Sequence, residues 1–348
     1  MLKALRTIFI MAFLGLSFPG KAITFNLDSI AAMGRFPKFC VKVYRAGDRI
    51  FNSIDTSYVK SPGYPFKIST SAHSWVSYYS FEFNNRTKID FISIPSTTVG
   101  VHLSWLAVSI GYEKNVSNLI GLKTQGNSQW TFGFNSSRVV ADFYYVTGDG
   151  GLKLDFFDGE EKECDPDVYF DGCKTEQWQF QAYYFFNHLR YSHSASFSFG
   201  KIQEKTAGSW FAGITALGQA YNFDFNSLPD KYKNALPLLD TDYKYHINSH
   251  LWGVTGGYAA NINLGRGWIM GVTENPTLGV RYGYSSNGQR RVRLGFSNTI
   301  SGSFIYNHPR NRLYLGAIGY FYGNILTDDV HALTNLLLSF KVAAGYRF

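Results

Sequence analysis

The sequence predicts an all-β chain that folds as an antiparallel, up-and-down transmembrane β-barrel of about fourteen strands. The first observation is a period of two over most of the chain after residue 66, which places apolar and polar side chains on opposite faces of a strand. The second is the composition, with 18% aromatic and only 17% charged residues. The third is that no apolar run after Phe18 is long enough for a spanning helix. Together these observations indicate a wall with lipid outside and a polar lumen inside.

The segment 336–348 shows the alternation most clearly. Its even-numbered positions are all apolar and end on Tyr346 and Phe348, whereas its odd-numbered positions are mostly small or polar and include Lys341 and Arg347. We predict that Tyr346 and Phe348 form the signal that the barrel-assembly machinery reads. An edge strand of a soluble sandwich is the alternative for this segment taken alone.

Residues 1–22 have the three parts of a secretory signal peptide. Lys3 and Arg6 give a charged start, residues 8–18 form a short apolar core, and residues 20–22 form a small-residue cleavage site. The sequence therefore predicts export and insertion into the outer membrane, with the lipid bilayer and the assembly machinery as partners. The formal net charge of +8 includes no basic run, so nucleic acid is not expected as a partner.

Residues 23–65 are predicted to be a separate N-terminal periplasmic segment. Apolar and basic residues recur there at roughly helical spacing, interrupted near Pro37 and Gly47, which indicates a short amphipathic helix. Three placements are open for this helix: inside the barrel as a plug, beneath the barrel, or on the surface of the inner leaflet. Residues 23–60 are also the predicted docking arm for a periplasmic partner.

The barrel is predicted over residues 66–348, with turns rich in Gly, Asn and Pro between its strands. An even number of strands places both termini in the periplasm, as in bacterial barrels. The number falls to twelve if residues 88–94 and one weak neighbour lie outside the sheet. The segments predicted as strands are 75–83, 88–94, 98–104, 106–113, 129–134, 139–145, 177–186, 191–199, 209–222, 245–262, 267–284, 289–306, 310–324 and 334–348.

Two of the three cysteines, Cys164 and Cys173, lie close together in a predicted loop from about Gly148 to Glu176. An exported protein meets an oxidising compartment, so these residues are predicted to form a disulfide, with two free thiols as the alternative. No histidine lies near enough in sequence to complete a zinc site. Cys40 is expected to be a partly buried thiol.

Four stretches and the aromatic C-terminus together carry a family resemblance. The stretches are 55–59 (DTSYV), 182–187 (AYYFFN), 203–209 (QEKTAGS) and the step Gly257-Tyr258. They resemble an uncharacterised domain-of-unknown-function family of outer-membrane proteins in the Bacteroidetes, and the resemblance extends from about Asp48 to the end of the chain. It implies an outer-membrane barrel and brings no known activity, substrate or catalytic residue.

Strand alternation directs six cations toward the lumen. Like charges opposite one another on neighbouring strands destabilise a sheet unless something neutralises them. One interpretation is an anion path or an anionic-ligand site, because guanidinium groups bind phosphate and carboxylate. The alternative is a salt-bridge network with Glu82, Asp90, Asp142 or Glu113 that fills a closed lumen. The six cations are Arg281, Arg291, Arg293, Arg312, Lys341 and Arg347.

A second candidate site combines Asp240, Asp242, His246 and His250 near one rim of the barrel. Carboxylate and imidazole groups can activate water for hydrolysis or hold a divalent cation, but this spacing matches no specific metalloenzyme pattern. A solvated rim is the simpler interpretation.

The alternating serines 192–198 do not form a nucleophile with His193, because adjacent residues of a strand face opposite sides. The sequence therefore predicts a non-enzymatic protein without metal or cofactor. It would be a narrow or plugged pore, or a binding or structural component of the envelope. A hydrolase with the rim Asp and His residues is the alternative.

Overall fold

The computed structural model describes residues 53–83, 87–117, 127–158, 168–234, 236, 243–284, 290–327 and 331–348, with scattered positions between 28 and 42. The predicted signal peptide and most of the predicted helical segment lie outside the described residues and stay predictions. Residues 53–60 are described, and they are not helical: they form a turn and a short strand. Among the described residues, no helix has the length and apolar character needed to cross a membrane.

The unit formed by residues 53–347 consists mainly of long strands. Its helices are short: α1 (His193–Phe197), α2 (Asp230–Lys233) and a 3₁₀ turn at Phe225–Ser227. The strands are β1 (Val59–Lys60), β2 (Phe66–Phe83), β3 (Lys88–Ser93), β4 (Ser96–Trp105), β5 (Val108–Asn115), β6 (Ser128–Asn135), β7 (Val139–Asp158), β8 (Tyr169–Phe185), β9 (Ile202–Gln203), β10 (Ala207–Asp224), β11 (Lys244–Gly265), β12 (Trp268–Tyr284), β13 (Arg290–Asn307), β14 (Leu313–Thr327) and β15 (His331–Arg347).

All strands except β1 and β9 belong to one antiparallel sheet, which closes on itself. Closure is made by β2 and β15, whose residues 67–83 and 331–347 pair along their full length. A closed sheet leaves no open strand edge and satisfies its backbone hydrogen bonds internally, as a lipid environment requires. The predicted all-β antiparallel closed barrel is confirmed.

The described residues give the barrel twelve strand positions, so the prediction of fourteen is wrong and the alternative of twelve is confirmed, although residues 88–93 do lie in the sheet. β3 and β4 both pair with β2, at residues 78–82 and 66–75, and are two halves of one strand interrupted at Pro95. Proline has no N–H group to donate to a sheet ladder, which explains a break at this point. The second error is residues 191–199, which contain α1 and are not in the sheet.

The barrel is wider in one half than in the other. β5 and β6 form a short hairpin between β4 and the first half of β7, whereas β3 pairs directly with the second half of β7. We call the end that contains Phe66 and Arg347 the terminal end and the opposite end the far end. The hairpin adds two strand positions to the terminal half only.

The two faces of the wall differ sharply in polarity. Large apolar side chains point outward and stay exposed, among them Leu294 (83% exposed), Val254 (67%) and Leu338 (63%). Inward-facing serine, threonine and asparagine side chains are buried along β2, β11, β12 and β13. An apolar outer surface of this extent is typical of a barrel surrounded by lipid.

The chain between β8 and β10 folds back into the terminal end of the lumen. We call residues 186–206 the plug; it contains α1 and β9. The serines of α1 are buried against the wall, where a Cβ at Gly271 would lie 2.5 Å from the Cβ of Ser196. Only glycine permits this approach. The serine alternation that suggested a strand therefore reflects a short turn of helix with its small side chains against the wall.

We expect Leu338→Arg, in the middle of β15, to lower the free energy of unfolding by about 2–4 kcal/mol, because the guanidinium would enter hydrocarbon. Leu313→Arg makes the same change at the terminal edge, where the expected loss is about 0–1 kcal/mol. Urea unfolding in lipid vesicles measures both. Equal losses at the two positions would contradict a lipid-facing outer wall.

Candidate functional site in the barrel lumen

Two cations across the closing strand pair hold the plug in place. Lys67 on β2 is the register partner of Arg347 on β15. Nζ of Lys67 donates to the carbonyl of Ser198, and Nε and Nη2 of Arg347 donate to the carbonyl of Phe199 at 3.2 and 2.9 Å. Arg347 is 1% exposed, and its guanidinium also lies 4.6 Å from the centre of the Tyr314 ring. The plug carbonyls thus stabilise two like charges that face each other across the sheet.

Three of the stretches that carry the family resemblance meet at the plug. β1 begins at Val59, the last residue of the stretch 55–59, and pairs with β9, which reaches the stretch 203–209. The N–H of Asp55 donates to the carbonyl of Leu189 at 2.8 Å. Asn187, the last residue of 182–187, donates through its Nδ2 to the carbonyl of Gly208 at 2.8 Å. These motifs therefore build one tertiary unit that closes the terminal end.

A histidine lies within the plug. The ring of His193 stacks on Phe197 at 4.7 Å and on Phe185 at 5.2 Å, and its Nδ1 lies 3.2 Å from the hydroxyl of Tyr191. Burial among these rings lowers the pKa of His193 to about 4. The plug therefore packs around a neutral imidazole.

Lys341 is neutralised by a carboxylate from the other side of the closing pair. Its Nζ lies 2.7 Å from Oε1 of Glu113, which is 0% exposed. His73 and His102 contact the same carboxylate at 3.3 and 3.1 Å. Gly111 leaves room for His102, since a Cβ there would lie 2.0 Å from the imidazole Nδ1. For this cation the salt-bridge interpretation describes the structure better than the anion path.

The Glu113 cluster also contains a serine, but its geometry is not that of a serine hydrolase. The Ser71 hydroxyl lies 3.1 Å from Nε2 of His102, and Oε1 of Glu113 lies 3.1 Å from the same nitrogen. In a catalytic triad the serine and the carboxylate contact different ring nitrogens, so that one orients the base for the other. The cluster is arranged to stabilise charge.

Arg281 is the lumen cation whose hydrogen-bond acceptors are neutral. It is 6% exposed, and Nη1 and Nη2 donate to Oγ of Ser249 at 2.9 Å and to Oδ1 of Asn324 at 2.5 Å. Arg293 is its register partner on β13 and faces the same side of the sheet. Within the described residues, no carboxylate contacts Arg281. Like charges therefore lie opposite each other here, as predicted.

One predicted lumen cation lies elsewhere. Arg312 is exposed at the terminal edge, where it donates to the hydroxyls of Tyr64 and Tyr346 at 3.1 and 3.2 Å. Its inward placement was wrong because β14 begins only at Leu313, so strand alternation does not govern the preceding turn. The side chain of Arg291 lies outside the described residues. Tyr346 points outward, and the insertion signal that it would form with Phe348 stays a prediction.

The predicted rim site is not brought together in the described part of the chain. His246 is exposed on the outer face and contacts Asn222, whereas His250 packs 6.0 Å from the ring of Trp178. Asp240 and Asp242 lie outside the described residues. Where side chains are described, no group of three or more His, Cys, Asp or Glu residues is placed to hold a metal ion.

Cys173 is buried in β8, among the aromatic residues at the far end. Cys164 and Cys40 lie outside the described residues, so the predicted disulfide stays a prediction.

An aromatic cluster fills the far end of the lumen. Phe81 and Phe223 lie 4.7 Å apart, and Phe91 and Phe170 lie 4.9 Å apart, all with inward, buried side chains. Phe225, from the connection between β10 and β11, packs on the same rings. The connection therefore covers the lumen-facing side chains at this end.

The family comparison matches residues 53–348 to a domain of unknown function (DUF4421). No curated protein sequence matches the chain.

Solved structures with a similar course of the chain are bacterial outer-membrane barrels. The outer-membrane protease OmpT from Escherichia coli is 7% identical, with a TM-score of 0.39, over 83% of this chain and 98% of that chain. The toluene transporter TodX from Pseudomonas putida is 11% identical, with a TM-score of 0.30, over 87% and 93%. Ail from Yersinia pestis is 10% identical, with a TM-score of 0.21, over 80% and 98%. At these identities the similarity concerns the barrel and carries no argument about activity.

We expect Glu113→Gln to lower the free energy of unfolding by about 3–5 kcal/mol, because Lys341 would stay buried without its carboxylate. The matched change Glu204→Gln breaks the more exposed Lys60–Glu204 pair, whose atoms lie 3.4 Å apart. We expect a loss below about 1 kcal/mol there. Chemical denaturation of both variants measures the difference; equal losses would show that the Glu113 pair is not a structural ion pair.

We expect the plug to loosen as the pH falls. The pKa of His193 is about 4 in the folded protein, below its ordinary 6.5, so the unfolded plug binds more protons between these values. The stability that the neutral imidazole of His193 contributes to the plug is therefore complete above pH 6.5 and is lost as the pH falls toward 4. Hydrogen exchange of the plug amides, corrected for intrinsic rates, measures this change. His193→Phe should abolish the dependence; an unchanged pH profile in this variant would contradict the assignment.

Proposed function

The chain belongs to the DUF4421 family over residues 53–348, and we propose that it is a closed outer-membrane barrel with a non-enzymatic role. In this role it serves as a binding or structural component of the envelope. The observation that carries the proposal is that the lumen is filled at both ends, by the plug and by the aromatic cluster. Membership of a Bacteroidetes family and export by a cleaved signal peptide remain parts of the proposal.

The way the plug is held at the terminal end supports this role, because several separate hydrogen bonds fix it to the barrel wall. Asn261 Nδ2 donates to the carbonyl of Ser192 at 2.7 Å and to Oε1 of Gln203 at 3.0 Å. Gln203 Nε2 in turn donates to the carbonyl of Arg190 at 2.6 Å. These polar groups are buried, and leaving any of them unpaired would cost about 1–3 kcal/mol. A plug held in this way favours a permanently closed lumen.

The charges of the lumen support a closed barrel more than an anion path. A path needs a row of cations that anions can reach and leave. Lys341 is engaged by Glu113, Arg347 by the plug, and Arg312 lies at the outer edge. The arginine pair at 281 and 293 alone does not extend from one end to the other.

A hydrolase is the weaker candidate. Its rim histidines face outward where they are described, and the Ser71–His102–Glu113 cluster lacks the geometry of a triad. A periplasmic partner fits the proposal better, because the plug presents cations at the terminal end. Arg190 and Lys205 are exposed, and the charged group of each lies 5.1 Å from the centre of the Tyr58 ring.

The test is conductance of the full chain in planar lipid bilayers. We expect no stable open state, because both ends are filled. Removing both plug contacts of the closing pair, with Lys67→Met and Arg347→Met together, should produce frequent openings. Lys60→Met with Lys205→Met is a matched control that should stay closed. A steady anion-selective current through the unaltered protein would replace the proposal with the pore interpretation.

A further inference from the structure

A cavity of about 80 Å³ lies in the middle of the lumen, between the Glu113 cluster and the aromatic cluster. It is next to the interruption between β3 and β4, from which Ser93, Ile94 and Ser96 reach it. A water molecule needs roughly 10–15 Å³ of such space, so the cavity has room for several water-sized groups. None of its lining side chains is charged.

A chain of hydrogen bonds leads from Arg281 to this cavity. Nη2 of Arg281 donates to Oδ1 of Asn324, and Nδ2 of Asn324 donates to Oε1 of Gln219 at 2.6 Å. Nε2 of Gln219 then donates to the hydroxyl oxygen of Tyr221 at 2.7 Å. Because arginine can only donate, it sets the direction of every bond in the chain. A charged donor at its head also polarises the bonds that follow.

Tyr221 ends this chain at the cavity wall with one proton left to donate. Its oxygen accepts a second N–H, from Nδ2 of Asn335 at 2.6 Å. With two donors on the oxygen, the O–H proton must go to a third group. Among the described residues, no protein atom accepts that proton. Tyr221 therefore offers a polarised donor to an occupant of the cavity.

Two residues that line the cavity each have a buried amide oxygen without a partner. Asn127 and Asn335 are 7% and 4% exposed, and Oδ1 of each lacks a hydrogen bond. Their Nδ2 groups are engaged, that of Asn127 by Oγ of Ser96 at 2.8 Å. A buried acceptor without a donor costs about 1–3 kcal/mol. An occupant that satisfies these groups would donate to two oxygens and accept from one hydroxyl.

The remaining wall is mixed: Trp75, Leu152 and Leu337 contribute apolar surface, and serine, threonine and glutamine side chains contribute further neutral polar groups. A hydroxyl is the neutral group that donates and accepts through one atom, and no charged side chain is present to favour an ion. Water would satisfy the polar groups but would leave the apolar wall against solvent. We propose that the cavity binds a small neutral polyol, with hydroxyls on Tyr221, Asn127 and Asn335 and with carbon atoms against the apolar wall.

The test uses the full chain in detergent micelles with radiolabelled glycerol and myo-inositol as probes in equilibrium dialysis. We expect saturable binding of at least one probe. Asn335→Leu removes one acceptor and fills space, so its affinity should fall about tenfold or more. Asn298→Leu is the matched control: its Oδ1 also lacks a partner, but it is not among the cavity residues, and binding should not change.

If Asn335→Leu does not fold, crystals of the unaltered protein test whether the cavity binds a polyol. The crystals are grown without polyol and then soaked in each probe. Electron density for the probe between Tyr221 and Asn127 would support the proposal. Ordered water alone in the soaked crystals, equal binding by the two variants, or binding at crystal concentration only would overturn it.

Discussion

The pairing of β2 with β15 is the constraint on which the rest of this structure depends. It joins the first and last strands of the barrel along residues 67–83 and 331–347, so that no strand edge is left open. In a lipid environment an unpaired backbone edge is untenable, and closure removes the need for any other covering of the sheet. Closure also creates an interior of fixed size, which the chain must fill with its own side chains and connections. The plug, the ion pair of Glu113 and the aromatic cluster each fill part of that interior.

Three interior cations are stabilised by different kinds of neighbouring group, each of which offsets the cost of burying a charge. Lys341 has a carboxylate in contact, and the pair is neutral as a unit. Arg347 has main-chain carbonyls and the face of Tyr314, which supply partial negative charge without an acid. Arg281 donates only to neutral oxygens, and it orients the chain of amide dipoles that begins at Asn324. The interior is thus not a uniform basic lining, and the three cations differ in what they offer to a ligand.

The features that depend on residues close together in the sequence were predictable, and those that depend on contacts between distant segments were not. Alternation with a period of two is a local pattern, so the sequence predicted which side chains of long strands such as β13 and β15 face the lumen. Arg312 lies in a turn, where this pattern does not apply, and its orientation was not predictable. The predicted number of strands was wrong for two reasons. Pro95 interrupts one strand, which was counted as two, and the alternating serines of 191–199 belong to a segment with a short helix. The contact of Lys341 with Glu113 joins positions 228 apart and passes through β2 and β4. His73 and His102 could be found only with the register of those strands, for which the sequence holds no local signal.

The contacts that Lys67 and Arg347 make with the plug, which we call the seat of the plug, have a consequence for the order in which the chain folds. The carbonyls of Ser198 and Phe199 are held by Lys67 from the first strand of the barrel and by Arg347 from the last. Neither residue alone makes the seat, and the two cations repel each other until the carbonyls lie near them. The middle of the chain therefore reaches its final position only as the two ends of the sheet meet. We therefore expect closure of the wall and docking of the plug to be coupled, because the contacts of the plug need both the first and the last strand of the barrel.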